Sequence, residues 1–263
     1  METEIQEFGV CNLSAVPLRA EASDKSEMVS QLLFGDCFSI LEKQEKWVRI
    51  RLDYDDYEGW IDVKQYVRFE RDEHFNFSDS LAVLGPRVYH TATKESTGEK
   101  LYLLAGSSFS KDPEFRLANE VYRLEEDAVY QLKNDFSKNV SDIAHFYLNA
   151  PYLWGGKSIF GIDCSGFTQI VFKQLGMKLK RDAWQQAEQG TAVDFLQEVR
   201  PGDLAFFDNP EGRIVHVGIM LSDSKIIHAS GKVRIDTLDN QGIYNAEMKR
   251  HTHTLRIIKR FSS

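Results

Sequence analysis

The sequence predicts a multidomain chain in which two small all-β domains precede an α+β domain with an antiparallel sheet. Two observations carry this prediction. Up to about residue 130, short apolar runs alternate with turn residues in a pattern typical of strands. After Asn134, two segments with helical spacing are followed by a run of strand-like segments. We place the three domains at residues 1–69, 70–134 and 135–263.

The first domain is predicted to be a small all-β barrel. Turns are indicated at residues 34–36 and 53–57, where glycine, aspartate and tyrosine cluster. About 60 residues of this kind are enough for such a barrel. Five segments read as strands: residues 16–19, 31–33, 37–41, 47–51 and 59–61.

The second domain shows a weaker β pattern. Residues 101–106 and 120–124 read as strands because apolar and β-branched residues are concentrated there. The polar stretch at residues 91–100 reads as a loop. We therefore predict a second small β domain.

The third domain begins with helices and continues with strands. A helix is predicted over residues 140–148, with Asn139 or Ser141 as its N-cap. Residues 151–156 read as a loop, and a second amphipathic helix is predicted from Cys164 to Leu175. Gly176 ends this helix. Four segments read as strands: residues 204–207, 215–221, 225–229 and 255–258.

Composition excludes several classes of protein. The 263 residues carry a formal charge of −8, which argues against a general nucleic-acid binder. No stretch approaches the ~18 apolar residues of a membrane span. The first ten residues contain three glutamates and do not resemble a secretory signal. Only three cysteines are present, without a Cys-x-x-Cys pair, so we expect a reducing, cytoplasmic setting.

Cys164 is the strongest candidate for a catalytic residue. It stands at a predicted loop-to-helix junction between Asp163 and Ser165, a polar setting for a core residue. A helix N-terminus and a nearby imidazolium lower the pKa of a thiol, and the first amides can hold an oxyanion. The alternative interpretation is a buried small hydrophobe, which we adopt for Cys11 and Cys37.

Two histidines complete the candidate site. His216 and His228 lie on successive strand-like runs joined by the turn at residues 222–224. A hairpin brings both imidazoles close together, but they share a face only if the loop has an odd number of residues or a bulge. We assign attack to Cys164, proton transfer to His216 and the orientation of His216 to His228.

The other histidines lack such a setting. We interpret His74, His90, His145, His251 and His253 as surface or packing residues. The pair His251 and His253 supplies too few ligands for a metal site. The sequence therefore predicts no metal and no cofactor.

Five short motifs surround the candidate catalytic residues of the third domain. They are Tyr-Leu-Trp-Gly-Gly (152–156), Asp-Cys-Ser-Gly (163–166), Arg-Pro-Gly-Asp-Leu (200–204), His-Val-Gly-Ile (216–219) and Ile-His-Ala-Ser (227–230). Over residues 135–260 these motifs resemble those of the NlpC/p60 peptidoglycan endopeptidases, and the resemblance implies a papain-like core. The N-terminal part resembles bacterial SH3-like domains at residues 16–19, 28–36 and 57–61.

The arrangement of domains is similar to that of γ-D-glutamyl-L-diamino acid endopeptidases. That resemblance implies a pocket for the free ammonium group of an N-terminal L-Ala, and a tyrosine beside the thiol and the oxyanion. Ala183 stands where many relatives have serine, which removes one hydrogen bond. The residues that the resemblance places around the substrate are Tyr152, Trp154, Asp163, Ser165, Asp182, Glu27 and Tyr57. Capping of a helix is an equally good interpretation of Asp182.

The implied partners are murein tripeptides or tetrapeptides with a free L-Ala, cleaved in the cytoplasm during peptidoglycan recycling. We expect no nucleic-acid or membrane partner and a monomeric protein. Two alternatives stay open at this point. One is an amidase acting on intact peptidoglycan, and the other is a non-catalytic protein that binds murein peptides.

Overall fold

The structure is a computed structural model that describes residues 7–69, 81–111, 114–117, 119–125, 132 and 135–261. The chain forms two compact units, residues 1–130 and 131–263. The boundary predicted at residues 69/70 adjoins a segment outside the described ranges, so the division into three domains stays a prediction. In the described part of the chain, no helix has the length and apolar character needed to cross a membrane.

The first unit opens with an antiparallel sheet of seven strands. Alternating residues of the second strand, Val16 and Leu18, are fully buried, as expected when one face of a sheet covers a core. All five predicted strands and both turns are confirmed. The strands are β1 (Phe8–Val10), β2 (Ala15–Arg19), β3 (Met28–Leu33), β4 (Cys37–Lys43), β5 (Trp47–Leu52), β6 (Glu58–Asp62) and β7 (Val67–Phe69). Their order in the sheet is β3-β2-β6-β5-β4-β1-β7.

Six shorter strands follow in the first unit. The loop predicted at residues 91–100 is wrong, because most of it forms a hairpin. Its threonines favour extended backbone, and Ala92 between them is fully buried. The strand predicted at residues 120–124 is confirmed. The strands are β8 (Leu81–Val83), β9 (His90–Lys94), β10 (Lys100–Leu103), β11 (Ser108–Ser110), β12 (Glu114–Leu117) and β13 (Glu120–Leu124). Four of them form a sheet in the order β10-β9-β13-β12, and β8 pairs with β11.

An aromatic cluster centred on Phe34 joins these strands to the first sheet. The Phe34 ring lies 5.4 Å from that of Phe115 and 5.8 Å from that of Tyr122. The next residue, Gly35, has φ +79°, and a Cβ there would meet the carbonyl oxygen of Ser108. Glycine is therefore required at this close approach. Cys11 and Cys37 are both buried thiols of the first unit, as predicted.

The second unit begins with helices, as predicted. The helix expected over residues 140–148 starts one turn earlier, because Asp135 accepts the backbone N–H of Lys138 at 3.0 Å and acts as the N-cap. The predicted second helix, ended by Gly176 at φ +76°, is confirmed. The helical elements are α1 (Phe136–Phe146), α2 (Cys164–Gln174), α3 (Ala183–Ala187) and a 3₁₀ turn (Leu196–Glu198).

The strands of the second unit form an antiparallel sheet that closes on itself. The strands are β16 (Thr191–Val193), β17 (Leu204–Asp208), β18 (Ile214–Met220), β19 (Lys225–Ser230), β20 (Lys232–Asp239), β21 (Gly242–Asn245) and β22 (Arg250–Arg260), with a small hairpin of β14 (Lys157–Ser158) and β15 (Gly161–Ile162) before α2. The order in the large sheet is β16-β22-β17-β18-β19-β20-β21, and β21 also pairs with β22, so six strands make a ring. Helix α2 packs against β18. The four predicted strands are confirmed, and β16, β20 and β21 are additional.

Candidate active site

Cys164 is the first residue of α2 and is only 6% exposed. Asp163 precedes it as the N-cap, and its Oδ1 accepts the backbone N–H of Gly166 at 2.6 Å. A Cβ on Gly166 would lie 2.3 Å from the carbonyl oxygen of Gly156, so only glycine lets this loop approach the helix. The thiol therefore sits at a tightly packed helix start.

Arg181 stabilises the start of α2 through Asp163 and Ser165. Its side chain is 1% exposed and forms a two-point ion pair with Asp163, in which Nη2 donates to Oδ2 at 2.6 Å and Nη1 to Oδ1 at 3.1 Å. Nη1 also donates to the Ser165 hydroxyl at 2.8 Å. Such a planar, two-point arrangement is the strongest geometry available to arginine and carboxylate. The sequence analysis did not identify Arg181, because a single arginine in a polar stretch gives no sign of burial.

The contact of Asp163 with a substrate ammonium stays a prediction, and the carboxylate already has several donors within the protein. Besides Arg181 and Gly166, its oxygens accept the backbone N–H of Gly155 at 2.8 Å and the Ser165 hydroxyl at 3.3 Å. The guanidinium already compensates the buried carboxylate, as a buried charge requires. Asp163 and Ser165 therefore position the first turn of α2.

Gln186 on α3 is a further support that the sequence analysis missed. It is fully buried, and its Oε1 accepts the Thr168 hydroxyl at 2.7 Å. Its Nε2 donates to the carbonyl oxygens of Ser165 and Lys180, at 3.1 and 2.8 Å. The bonds with Thr168 and Ser165 join α3 to α2, and the bond with Lys180 holds the segment between the two helices.

The predicted hairpin brings His216 and His228 together. Gly218 pairs with His228 across β18 and β19, and Met220 pairs with Ile226, which leaves a five-residue loop, residues 221–225. This odd-numbered loop places both imidazoles on one face, as the sequence analysis required. The His216 Nε2 lies 2.8 Å from the His228 Nδ1, and both side chains are buried.

Asp236 on β20 extends this pair. Its Oδ2 lies 3.0 Å from the His228 Nε2, and the same oxygen accepts the Arg234 Nε at 2.7 Å. Neither residue was predicted as part of the site, because the strand that carries them was not predicted. The alternation of charged and apolar residues at 232–236 would have been the signal for that strand.

His253 on β22 packs on the face of His216. The two rings are nearly parallel, with centroids 4.2 Å apart and planes inclined by 26°. The His253 ring is also edge-on to that of His228, with centroids 5.7 Å apart. This agrees with the prediction that His253 is a packing residue. The residue on which it packs is His216, to which proton transfer is assigned.

The directions of the pKa shifts of Cys164 and His216 do not agree with the predicted resting thiolate. Burial, followed by the negative charge of Asp163, raises the pKa of the Cys164 thiol to about 12, although the backbone amides of Val217 and Ser165 and the Arg181 charge oppose this. Burial and the neighbouring histidines lower the pKa of His216 well below its ordinary value. Desolvation favours the neutral form of both groups. The resting pair is therefore a thiol and a neutral imidazole.

Within the described ranges, no three His, Cys, Asp or Glu side chains are arranged to hold a metal ion. The two histidines considered as ligands have different partners. His251 contacts the Asp239 carboxylate at 2.9 Å, whereas His253 stacks on His216. The absence of a cofactor stays a prediction.

Comparison with known proteins identifies the family. Residues 149–252 match the NlpC/P60 family, and residues 18–65 match the bacterial dipeptidyl-peptidase Sh3 domain. A gamma-D-glutamyl-L-lysine dipeptidyl-peptidase of Bacillus subtilis is 30% identical over 237 residues, which are 83% of this chain and 78% of that protein. The chain belongs to the NlpC/P60 family.

Other similar proteins agree with this assignment. Dipeptidyl-peptidase 6 of Lysinibacillus sphaericus is 29% identical over 85% of this chain and 89% of its own length. A crystal structure of an NlpC/P60 family protein from Bacillus cereus has a TM-score of 0.78 at 19% identity, covering 96% of this chain and 99% of that one. At this identity the structural match supports the fold alone.

Tyr152 and Trp154 lie in the loop before the NlpC/P60 motif of Cys164. Burial raises the pKa of Tyr152, and the negative charge of Asp163 raises it further. The phenol is therefore protonated and can donate a hydrogen bond near the thiol. The Trp154 side chain is 59% exposed, so part of it faces solvent. Contact of either residue with substrate stays a prediction.

Asp182 is the N-cap of α3. Its backbone N–H donates to the Gln185 Oε1 at 3.0 Å, within a capping box. The residue is partly exposed, so capping and contact with a ligand are compatible. The capping interpretation is confirmed, and the ligand contact stays a prediction.

Glu27 and Tyr57 belong to the first unit. Glu27 is exposed, and its carbonyl oxygen accepts the Ala20 N–H at 3.0 Å. The Tyr57 N–H donates to the Asp55 Oδ1 at 3.0 Å, and its ring packs on the core of the β1–β7 sheet. Their predicted part in an amine pocket stays a prediction.

Replacing His253 by phenylalanine is expected to make stability less sensitive to acid. Burial, followed by the charge of His228, lowers the pKa of His253 to about 4. A base with a lowered folded pKa contributes stability above its unfolded pKa of about 6.5, and that contribution is lost as pH falls towards 4. The phenylalanine keeps the stacking but has no proton to gain.

Urea unfolding of the wild type and the His253→Phe variant, from pH 7.5 to 4, measures this difference. The dependence of the unfolding free energy on pH should become shallower by up to about 1.4 kcal/mol per pH unit, the value for one proton. Equal dependence in the two proteins would show that His253 does not titrate in this range.

Proposed function

We propose that the protein is a cysteine endopeptidase that hydrolyses the bond between γ-D-glutamate and a diamino acid in murein peptides with a free N-terminal L-Ala. The observation that carries the proposal is the hydrogen-bonded pair of His216 and His228 on adjacent strands, with β18 packed against the helix that Cys164 begins. The peptidase names of the relatives support the reaction class.

The proposed reaction begins with a proton transfer. The Nε2 of His216 is engaged by His228, so the thiol proton of Cys164 moves to Nδ1. The Sγ attacks the γ-carbonyl carbon of D-glutamate and forms a tetrahedral intermediate. His216 then gives its proton to the leaving amine, and a thioester remains. Water, deprotonated by His216, attacks the thioester and releases the γ-carboxylate and the thiol.

The neutral resting pair suits this sequence. Ionising a buried thiol alone is costly, as its raised pKa indicates. Moving the proton to His216 as the sulfur bonds to carbon avoids a free buried thiolate. The backbone amides of Val217 and Ser165 favour the negative sulfur during this step. We propose that His216 is a general base in the attack itself.

The oxyanion is proposed to lie between the Cys164 amide and the Tyr152 hydroxyl. At the start of α2, Asp163 accepts two backbone N–H groups, that of Gly166 at its Oδ1 at 2.6 Å and that of Phe167 at its carbonyl oxygen at 2.9 Å. The amide of Cys164, in the same residue as the sulfur, is the proposed first donor to the oxyanion. A protonated Tyr152 supplies a second donor, and such paired donors stabilise the transition state more than the ground state.

Recognition of the free amine is assigned to acidic and hydroxyl side chains. An ammonium removed from water must be paired, or binding suffers. Asp182 is the candidate in the second unit, and Glu27 and Tyr57 are the candidates in the first. Trp154 is proposed to line the pocket. A site of this kind rejects stem peptides still joined to glycan, because their L-Ala nitrogen is an amide.

The biological setting follows from this selectivity. Free tripeptides and tetrapeptides are the products of peptidoglycan turnover, so we propose a recycling role in the cytoplasm for a monomeric enzyme. The diamino acid is either Lys, as the name of the Bacillus subtilis relative states for that protein, or diaminopimelate.

Mass spectrometry of two matched substrates tests the proposal. L-Ala-γ-D-Glu-L-Lys and its diaminopimelate counterpart should each be compared with the N-acetylated peptide. We expect release of L-Ala-γ-D-Glu from free peptides, with kcat/KM at least about 100-fold lower after acetylation, since leaving a buried charged group unpaired costs several kcal/mol.

An α-linked peptide of the same composition is the control for the γ bond. Equal cleavage of free and acetylated peptides would remove the amine pocket from the proposal. No cleavage of any γ-linked peptide would contradict the peptidase itself.

A further inference from the structure

Asp236 has a defined place behind the two histidines. Its side chain is 5% exposed. Its Oδ2 meets the His228 Nε2 at 3.0 Å, and Arg234 donates to both carboxylate oxygens, from Nε at 2.7 Å and from Nη2 at 3.0 Å. Arg234 also contacts Glu247 at 3.2 Å. The carboxylate is therefore fixed on both sides.

The charge state of Asp236 follows from these contacts. Burial alone would raise the pKa of the carboxyl, but the hydrogen bonds from His228 and Arg234 outweigh it and lower the pKa below its ordinary value. An ionised carboxylate only accepts hydrogen bonds. The proton in the contact with His228 is therefore on the His228 Nε2.

The position of that proton determines the next one. A neutral imidazole carries a single N–H, so a His228 protonated at Nε2 presents an acceptor at Nδ1. The contact at 2.8 Å between this Nδ1 and the His216 Nε2 then requires the proton on His216. A neutral His216 with its proton on Nε2 has its lone pair on Nδ1. This is the nitrogen that the proposed reaction needs for the thiol proton.

We infer that Asp236 is a positioning residue, which holds His228 and through it His216 in the Nε2–H tautomers and so leaves the His216 Nδ1 free to accept the thiol proton. This inference rests on the proposed function for its catalytic meaning. The opposite alignment, with the proton on the His228 Nδ1, would place the second proton on the His216 Nδ1 and block the transfer. Asp236 excludes that alignment because its oxygen would then face a lone pair.

The same series of hydrogen bonds also suits the reaction intermediate in which His216 is an imidazolium. When His216 gains the thiol proton at Nδ1, its Nε2–H already points at the His228 Nδ1. No proton has to move between the histidines, so the site passes from the resting state to the imidazolium without rearrangement. His253 contacts His216 through the face of the ring, and its Nδ1 lies 2.9 Å from the Thr252 hydroxyl.

Nitrogen-15 NMR of the histidine-labelled full chain tests the inference without a substrate. Long-range proton–nitrogen spectra distinguish Nε2–H from Nδ1–H tautomers by the shifts of the two nitrogens. In the wild type near pH 8, we expect His216 and His228 to be in the Nε2–H form. An Nδ1–H form at either residue overturns the inference, whether or not any variant folds.

The Asp236→Leu variant provides the second test, and Asp239→Leu is its matched control. Asp239 is on the same strand and contacts His251 at 2.9 Å. Its side chain is 50% exposed, and it is not one of the residues in the hydrogen-bonded series from Asp236 through His228 to His216. We expect a measurable Nδ1–H population at His216 in Asp236→Leu and none in Asp239→Leu. A folded Asp236→Leu protein that keeps His216 wholly as Nε2–H overturns the inference.

Kinetics separate positioning from a structural role. In Asp236→Leu, kcat on the free γ-linked tripeptide should fall roughly 10²- to 10⁴-fold with little change in KM, the range for loss of the residue that fixes a catalytic tautomer. Asp239→Leu should match the wild type. Unchanged kcat in Asp236→Leu overturns the inference. If the wild type shows the expected tautomers but cleaves no peptide, the proposed function fails and the tautomer assignment stands.

Discussion

Replacing Cys164 by alanine is expected to abolish hydrolysis of the free γ-linked tripeptide while the protein stays folded. The variant removes the only atom proposed to attack the carbonyl, and neither His216 nor water replaces it in a site arranged for a thioester. Loss of a nucleophile in comparable triads lowers kcat roughly 10⁴- to 10⁶-fold. Product release measured by mass spectrometry and the fold measured by circular dichroism check this result together.

Binding of the substrate by the Cys164→Ala variant distinguishes an enzyme from a binding protein. Calorimetry should show affinity for the intact tripeptide within a few-fold of the wild-type KM, because the pocket residues are unchanged. Cys11→Ala and Cys37→Ala, at the other buried thiols, are the matched controls and should keep their activity. Hydrolysis by the Cys164→Ala variant at a wild-type rate would mean that another group carries the reaction.

Among the variants proposed, Arg181→Met is expected to show the largest decrease in the free energy of unfolding. Methionine keeps an unbranched, largely apolar stem but leaves the Asp163 carboxylate, whose side chain is 6% exposed, without its cation. Breaking a buried ion pair by removing one partner costs about 3–5 kcal/mol. Because Asp163 caps α2, the start of the helix and the position of Cys164 should be disturbed as well, so activity should fall with stability.

Urea unfolding at neutral pH measures this loss. Arg256→Gln is the control, since Arg256 is 65% exposed and lies 3.8 Å from the Asp208 carboxylate in the same unit. Pairs of this kind contribute about 0–1 kcal/mol. A loss below about 1 kcal/mol in Arg181→Met would contradict the structural role assigned to the buried pair.

Local patterns predicted a large part of the site. The start of α2 at Cys164 and the hairpin of β18 and β19 are set by short-range rules, the capping of a helix and the parity of a loop. The shared face of His216 and His228 was predicted on the condition of an odd-numbered loop or a bulge, and the register of the hairpin meets that condition. The first helix was placed one turn late because Asp135, its actual cap, lies before the apolar pattern begins.

Short-range rules could not predict the residues whose partners are distant in the sequence. Arg181 is 18 positions from Asp163, and Asp236 reaches His228 through a strand that was not predicted. The charge state of Cys164 was also predicted wrongly, because a sequence shows a helix start but not how deeply the sulfur is buried. Burial, a property of the whole fold, decides the sign of that pKa shift.

The strands that carry the two histidines are interior strands of the sheet, β18 between β17 and β19, and β19 between β18 and β20. The two strands pair with each other from Gly218 to Met220 and from Ile226 to His228. This paired part of the hairpin therefore cannot take an extended peptide as an additional strand, which is how many adaptor domains hold ordinary polypeptides. A γ-linked isopeptide, whose backbone does not repeat with the spacing of a strand, does not depend on that mode of binding.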